Sequence, residues 1–485
     1  MIRDIYGACF VSAKLWISLS LLMLIPTVMS YYMDDPDWIN FGISSTIVFS
    51  IGCSVLLSMW GTPVRYSLRQ GILTVNMLWI SGTVAASIPF LMIMGSEEIS
   101  LADAFFESTS GITTTGATIF HDIDSLPASI LLWRSMLQWL GGVGIVLLSL
   151  ILLPSLRIGG AEFLQLETSH NSEKPTALLK NYVGAVALSY GVISGLCLLS
   201  YYLGGMTFFD SVNHMMTTVS SGGFSTHTSS FTHYKGTLIP WIAILFMYLS
   251  AIPFIVFINI VMKTYDKQWN DPQVRYFIVS IVVVSCVMVL MNYEEGSESL
   301  YELMTDNIFN VVSLMTTTGF GYGDFMLEYS LATGLFTVFA FCGGCAGSTA
   351  GGCKLFRVIV VFRKLKSYLS TRARKHAVFP IVYGDKVISE DSVMSIFIFI
   401  TVYFISIVVV VFLLSMTGMD IVSSVSGAMA MISNIGPGLG DVIGANGNYG
   451  ILPTSAKWIM SVTMVLGRLE IMTMLFLCLP LFWKD

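Results

Sequence analysis

Four stretches of the chain decide how it folds: Asp103-Ala-Phe-Phe-Glu-Ser-Thr-Ser-Gly-Ile-Thr-Thr-Thr-Gly116, Asp210-Ser-Val-Asn-His-Met-Met-Thr-Thr-Val-Ser-Ser-Gly-Gly223, Asp306-Asn-Ile-Phe-Asn-Val-Val-Ser-Leu-Met-Thr-Thr-Thr-Gly319 and Ser423-Ser-Val-Ser-Gly-Ala-Met-Ala-Met-Ile-Ser-Asn-Ile-Gly436. Each is a short amphipathic stretch, then an apolar residue (Ile112, Val219, Met315, Ile432), three mostly small residues and a glycine. An Asp stands 13 residues before the glycine three times, and Ser takes that place in the fourth. The glycines recur at spacings of 107, 96 and 117 residues. A repeat of that length is one supersecondary unit used four times.

What surrounds these stretches is membrane. The 485 residues are 55% apolar and only 11% charged, against about 25% charged for a soluble chain. That excludes a soluble cytosolic enzyme, a disordered chain and a nucleic-acid-binding protein. With about 20 apolar residues needed per helical crossing, apolar runs predict ten crossings: 9–30, 40–60, 71–95, 129–154, 181–204, 238–262, 276–293, 329–361, 393–416 and 455–482. The four stretches fall between crossings three and four, five and six, seven and eight, and nine and ten, and are too short and polar to span. The expected fold is an all-α membrane protein with ten transmembrane helices. Four copies of helix, half-helix, polar segment and helix stand in a pseudo-fourfold arrangement beside two extra N-terminal helices, the half-helices and polar segments being the pore helices and filters of the resemblance given below. The predicted divisions are 1–65 for those two helices, 66–160, 161–265 and 266–365 for the first three repeats, and 366–485 for the fourth. An intramembrane loop, 342–353, belongs to the third. The first apolar run lacks a small-residue cleavage site and reads as a retained helix.

Charge sets the predicted orientation. With both termini in the cytoplasm, only Arg134, Lys235 and Lys457 among the basic residues fall on the outer face, as the positive-inside rule requires. Carboxylates crowd the outer face, and an acidic mouth concentrates cations. The eight cysteines lie mostly in apolar runs and form no secreted disulfide framework. Cys342-x-x-Cys345 has no matching second pair or His, so metal or redox chemistry is not expected there. Gly347 to Lys354 lacks the Ser/Thr and preceding strand of a phosphate-binding loop.

Four polar segments of one orientation can surround one axis. Non-helical backbone at membrane depth is tolerated only where it is buried in protein or lines a water-filled cavity. There its carbonyls can replace the hydration shell of an ion. Glycine suits that role because it adopts φ > 0 and brings no side chain into the lumen. Half-helices whose C-terminal ends point to the axis favour a cation at its centre.

Thr113-Thr-Thr-Gly-Ala117, Ser220-Ser-Gly-Gly-Phe-Ser-Thr-His227, Thr316-Thr-Thr-Gly-Phe320 and Asn434-Ile-Gly-Pro-Gly-Leu-Gly440 resemble the four filters of the Trk/Ktr/HKT potassium transporters. Gln138-Trp-Leu-Gly-Gly-Val-Gly144, Gly343-Gly-Cys-Ala-Gly-Ser-Thr-Ala-Gly-Gly352 and Gly467-Arg-Leu-Glu470 add to the resemblance, which covers essentially the whole chain. It implies potassium bound by backbone carbonyls of Thr114, Thr115 and Gly116; Ser221, Gly222 and Gly223; Thr317, Thr318 and Gly319; and Asn434, Ile435 and Gly436. It implies no metal other than potassium and no covalently bound cofactor. It further implies a homodimer with a pore in each subunit, in a bacterial inner membrane. A cytosolic nucleotide-binding regulator of the TrkA type would sit on its inner face. In this family Ser in place of the first filter glycine accompanies sodium selectivity, so Gly116 favours potassium. The fourth segment departs from a strict potassium-channel filter at Ile435 and Pro437, which predicts weaker discrimination.

The glycines Gly343, Gly344, Gly347, Gly351 and Gly352 interrupt crossing eight just inside the third filter, and a loop there can gate the path. Arg468, at membrane depth, is expected to face the path below the filter as an electrostatic barrier; the alternative is an internal pair with Glu470. The basic stretch 357–386 reads as a docking surface for the regulator or as anionic-lipid contact, and 157–180 as a second inner contact. His121, His214 and His227 read as supports or mouth residues. Competing functions are a K+/H+ or K+/Na+ coupled symporter, which usually shows inverted repeats, and an intramembrane enzyme built on Ser220, Ser221 and His227. The repeat explains those residues without catalysis, so no enzymatic activity is expected.

Overall fold

A computed structural model describes residues 2–61, 67–92, 99–149, 175–261, 271–293, 299–323 and 330–484, apart from 375, 376, 378, 385, 441, 445 and 446. The helices in chain order are α1 (Ile2–Tyr32), α2 (Trp38–Ser58), α3 (Leu68–Leu91), α4 (Leu101–Ile112), α5 (Ala128–Leu147), α6 (Pro175–Leu203), α7 (Phe208–Val219), α8 (Ile239–Ala251), α9 (Phe254–Val261), α10 (Pro272–Met291), α11 (Leu300–Met315), α12 (Ser330–Cys342), α13 (Leu355–Ala373), α14 (Glu390–Ser415), α15 (Ile421–Ser433), α16 (Thr454–Arg468), α17 (Met472–Cys478) and α18 (Pro480–Trp483). A two-residue hairpin, Val382–Tyr383 with Lys386–Val387, follows α13. The basic stretch 357–386 is therefore mostly helix, not loop.

Seven helices among the described residues are long and apolar enough to cross a membrane: α1, α2, α3, α5, α6, α10 and α14. Two bent pairs bring the number to nine if each is one span: α8 with α9, bent by 85°, and α16 with α17, bent by 113°. The predicted crossing 329–361 is α12 and α13 on either side of the interruption at 343–354. The candidate inner contact at 157–174 lies outside the described residues. This is a multi-pass helical membrane protein.

Environment overrides local propensity in α14. Its Ile- and Val-rich sequence suits a strand, yet it is helical over 26 residues with a mean hydropathy of 3.1 in its spanning window. In hydrocarbon only a helix satisfies every backbone group within one segment. The Ser389 hydroxyl starts it by accepting the Ser392 N–H.

The bend between α8 and α9 has a cause. Pro253 has no N–H and prevents α8 from continuing. The carbonyls freed at the break are used by the interruption in the neighbouring crossing. Cys345 N donates to Ala251 O (3.0 Å), Thr349 N to Ser250 O (3.3 Å), and Phe254 N to Gly347 O (2.8 Å). Two broken spans thus satisfy one another, the condition for irregular backbone at membrane depth.

Candidate functional site

The four short helices α4, α7, α11 and α15 begin with side-chain caps: Ser100, Thr207, Ser299 and Asp420 accept the N–H three residues on. In α4, Asp103 completes a capping box with Ser100. Asp306 differs from its counterparts because α11 starts about one turn earlier, at Ser299. It lies inside that helix, 3.2 Å from Lys235 Nζ.

At their other ends the four helices finish alike. Thr115 N donates to Ser110 O (2.9 Å), Gly222 N to Thr217 O (2.8 Å), Thr318 N to Ser313 O (2.9 Å) and Ile435 N to Ala430 O (2.9 Å). These are the six-to-one bonds of a Schellman ending, whose left-handed residue is usually glycine. Here it is Thr114 (φ 52°), Ser221 (φ 52°), Thr317 (φ 55°) and Asn434 (φ 53°). Each non-glycine residue in this region costs about 1–2 kcal/mol, most severely for β-branched Thr. Such strain persists where the surroundings over-determine it, often at functional sites.

Two residues on, Gly116, Gly223, Gly319 and Gly436 have φ of 88°, 83°, 81° and 100°. A Cβ on Gly116 would collide with the Gly222 carbonyl oxygen, on Gly223 with that of Thr318, on Gly319 with that of Ile435, and on Gly436 with that of Thr115. The contacts run from first to second to third to fourth segment and back to the first. All twelve sequence-predicted filter residues are therefore brought together in one closed ring, and at each seam a glycine faces the carbonyl preceding the next glycine.

One side of the ring, the mouth, opens into a cavity of about 130 Å³ lined by Gly116, Gly223, Gly319, Pro437, His227 and Tyr449, among others. Polar side chains stand behind the segments here. Glu107, nine residues before Gly116, is fully buried and paired with buried Arg134 of α5 (2.7 Å). The residues at that register in the second and third copies also brace their segments: His214 Nε2 lies 3.0 Å from Ser225 Oγ, and Asn310 Nδ2 donates to Tyr322 O (2.6 Å). In the fourth copy that register is Gly427, and neighbouring Ser426 accepts the Leu439 N–H (2.9 Å). Arg134 and Lys457, assigned from sequence to the outer face, are buried partners of Glu107 and Asp103. Sequence reasoning missed Glu107, Arg134 and Tyr449; comparing the four copies position by position nine residues before the glycine was the available signal.

His227, in the loop beyond the second segment, sits between carboxylates: Nε2 is 3.7 Å from Asp210 Oδ1, and Nδ1 is 2.9 Å from Asp124 Oδ1. Asp210 and then Asp124 hold its imidazolium, raising its pKa above the ordinary value despite partial burial. It also stacks on His233 at 3.8 Å. His214 faces the back of the segment, whereas His121 lines the cavity. Among the described residues no group of three metal-ligating side chains exists.

On the opposite side of the ring lies the loop 343–352. The left-handed residues reach it: Ser221 Oγ is 2.8 Å from Thr349 Oγ1, and Thr317 Oγ1 accepts the Gly351 N–H (2.6 Å). A Cβ on Gly351 would collide with Ser433 O, so the loop also abuts the fourth segment. Gly343, Gly344 and Gly347 are buried in the same stretch; Gly343 and Gly352 pack against each other. Arg468 ends α16 beside this loop, 3% exposed, and Nη1 donates to Thr349 O (3.1 Å). Among the described residues its Nε and Nη2 have no hydrogen-bond partner. The alternative Arg468–Glu470 pair is not formed: Glu470 pairs with Arg357, whose guanidinium stacks 3.8 Å from the Phe399 ring centroid. The chain turns sharply after Arg468, with Glu470 and Ile471 at φ 54° and 50°, and that turn carries the carboxylate away from the arginine.

A bundle of apolar spans around a closed ring of helix ends defines the class as a multi-pass helical membrane protein with a polar backbone centre. Comparison with known proteins agrees with that class. Residues 39–481 match the model of the TrkH cation transport protein family. The chain is 34% identical to the Trk system potassium uptake protein TrkI of Halomonas elongata, over 98% of this chain and 96% of that protein. It is 33% identical to the Trk system potassium uptake protein TrkH of Escherichia coli K12, over 96% of each. Its fold superposes on the crystal structure of the potassium transporter TrkH from Vibrio parahaemolyticus with a TM-score of 0.90 at 31% identity, covering 100% of both chains. The chain belongs to the TrkH family of cation transport proteins.

Proposed function

We propose that this protein takes up potassium across a bacterial inner membrane through the four-segment ring. Ten spans and four repeated units surround that ring in pseudo-fourfold arrangement, both termini lie in the cytoplasm, and the repeats divide as the sequence spacing indicates. The observation that carries this reading is the closure of the ring, with each filter glycine seated on the carbonyl before the next. Small-residue backbone arranged so offers carbonyl ligands to a dehydrated cation, while the C-terminal ends of four helices add negative potential at its centre. The named relatives, all potassium uptake proteins or transporters, point to the same ion.

The loop 343–352 and Arg468 act as the gate. Hydroxyls beneath two segments grip the loop, and an incompletely bonded guanidinium beside the path opposes cation passage. A TrkA-like nucleotide-binding subunit on the cytoplasmic face controls this gate, and the protein works as a homodimer in lipid. The deciding experiment is radiolabelled Rb+ flux into proteoliposomes, with and without a pH or Na+ gradient. Downhill flux in either direction without a second gradient is the expected result; flux that requires H+ or Na+ makes the protein a symporter. Gly116→Ser tests the ring itself by its expected shift toward Na+.

A further inference from the structure

The four segments are held by different means, and the second is the odd one. At the residue before the filter glycine, the first and third copies carry Thr115 and Thr318, whose hydroxyls bond those of Thr113 (2.7 Å) and Thr316 (2.8 Å). The fourth carries Ile435. The second carries Gly222, and a side chain from another element fills the vacated place. A Cβ on Gly222 would collide with the carboxamide of Gln138 in α5. Gln138 Nε2 donates to Gly222 O (2.6 Å), and its Oε1 accepts the Phe224 N–H (3.1 Å). The carboxamide therefore spans the backbone on both sides of Gly223.

One turn earlier on the same face of α5, Arg134 Nη1 donates to Ser225 O (3.3 Å), with its guanidinium 4.1 Å from the Phe224 ring centroid. Arg134 Nε donates to Glu107 Oε1 and Nη2 to Thr118 Oγ1 (3.1 Å). Glu107 Oε2 in turn accepts the Ile119 N–H of the first segment (2.9 Å), and Thr118 Oγ1 donates to Glu107 Oε1 (3.1 Å). All three side chains are at most 1% exposed. The seam between the first and second segments runs through Gly222 O, because that is the atom on which Gly116 is seated.

We propose that Glu107, Arg134 and Gln138 form a positioning brace that ties the second filter segment to the first and sets the ion preference of the ring through Gly222 O. The proposal rests on the filter reading above. Selection between K+ and Na+ by backbone carbonyls depends on their number, spacing and field. The Gln138 amide fixes where Gly222 O sits and shares its lone pairs with any ion. Among the described residues the other three copies have no equivalent donor at that carbonyl. The brace makes the ring chemically asymmetric at one seam.

The test uses the full chain in proteoliposomes and reads the ratio of radiolabelled Rb+ to Na+ uptake. Gln138→Leu keeps the volume and removes both hydrogen bonds. A typical net hydrogen bond corresponds to roughly a fivefold change in an equilibrium, and the ratio is expected to fall by at least about threefold. The double variant Gln138→Ala with Gly222→Thr supplies in place the side chain that the first and third copies carry, and is expected to return the ratio to within about twofold of the parent. Should Gln138→Leu not fold, Gln138→Met carries the same prediction, since its thioether has no donor for Gly222 O and is only a weak acceptor for Phe224 N–H. A parental ratio in the single variant overturns the proposal, as does an equal loss of both ions with the ratio unchanged. Gly116→Ser is measured alongside. A shifted ratio there with a parental ratio in Gln138→Leu removes the brace alone. Parental ratios in both remove the filter reading with it.

Discussion

The two sides of the ring are held in opposite ways. On the mouth side, each segment is tied from behind by buried side chains that have found partners: Glu107 with Arg134, Gln138 with Gly222 and Phe224, Asn310 with Tyr322, and Tyr449, which donates to Gly436 O (2.7 Å). On the loop side, the contacts are hydroxyl and backbone bonds to a glycine-rich loop, beside a buried arginine two of whose nitrogens have no partner among the described residues. A network of paired buried side chains rigidifies what it holds, whereas the equally buried loop is held mainly through its own backbone. One side is fixed by side-chain pairs and the other by hydroxyl and backbone bonds, which is the contrast the proposed gate would use.

The mouth side breaks most expensively. Removing one member of a buried ion pair strands the other charge at a cost of about 3–5 kcal/mol. Arg134→Met is therefore expected to lower the thermal midpoint of the purified protein more than any loop-side change, and Arg134→Met combined with Glu107→Leu to recover much of that loss. Equal midpoints for Arg134→Met and the parent would erase the contrast between the sides.

The next effect is on flux. A cation roughly 8 Å from the path, at an effective dielectric of about 20, opposes a passing K+ by about 2 kcal/mol, or about thirtyfold. Arg468→Ala is expected to raise downhill Rb+ flux by that order, whereas Arg468→Lys is expected to leave it near the parental level. Unchanged flux in Arg468→Ala would mean that the loop alone bars the path.

Thr317→Val is a smaller change. It keeps the shape and leaves the Gly351 N–H without an acceptor, a loss of about 1–3 kcal/mol. Faster hydrogen exchange at Gly351, with exchange at Tyr322 and Phe224 unaffected, is the expected signature of a loop that loosens independently of the mouth.

The smallest effect is the pH response of the mouth rim. Asp210 and Asp124 raise the proton affinity of His227, so the charged form stabilises the folded rim. Its contribution is complete below the ordinary histidine value of about 6.5 and is lost as pH rises through the higher folded value. Exchange of the Thr228 N–H, which donates to Asp124 Oδ2 (3.0 Å), is expected to quicken over that range, and His227→Gln to abolish the pH dependence.

Much of this arrangement was legible in the chain. The four glycines, the small residues before them and the interruption at 343–352 could be placed because each is a local pattern repeated at near-equal spacing, and a repeat needs no knowledge of contacts. Other features were not legible. Crossing six, 238–262, was expected as one continuous span, and only the structure shows the bend at Pro253 and where the freed carbonyls bond. Arg134 and Lys457 were counted only as charges on the outer face, because a charge tally ignores partners such as Glu107 and Asp103. Arg468 and Glu470, two residues apart, left an internal pair open as the alternative, and only the turn between them removes it.

By itself, the sequence determined that the chain is apolar, that it spans a membrane repeatedly, that it contains one unit four times, and which glycines mark that unit. Composition and period carry those facts, and the bilayer leaves a chain of such composition few alternatives to helices. The tertiary structure alone decided the partners: Gln138 with Gly222, Glu107 with Arg134, the loop with the break in α8 and α9, and Glu470 with Arg357 in place of Arg468. These pairs join residues 27 to 113 positions apart. No local period encodes them, because they exist only after the ring has closed and the desolvated polar groups have had to find whatever donors and acceptors the fold brought within reach.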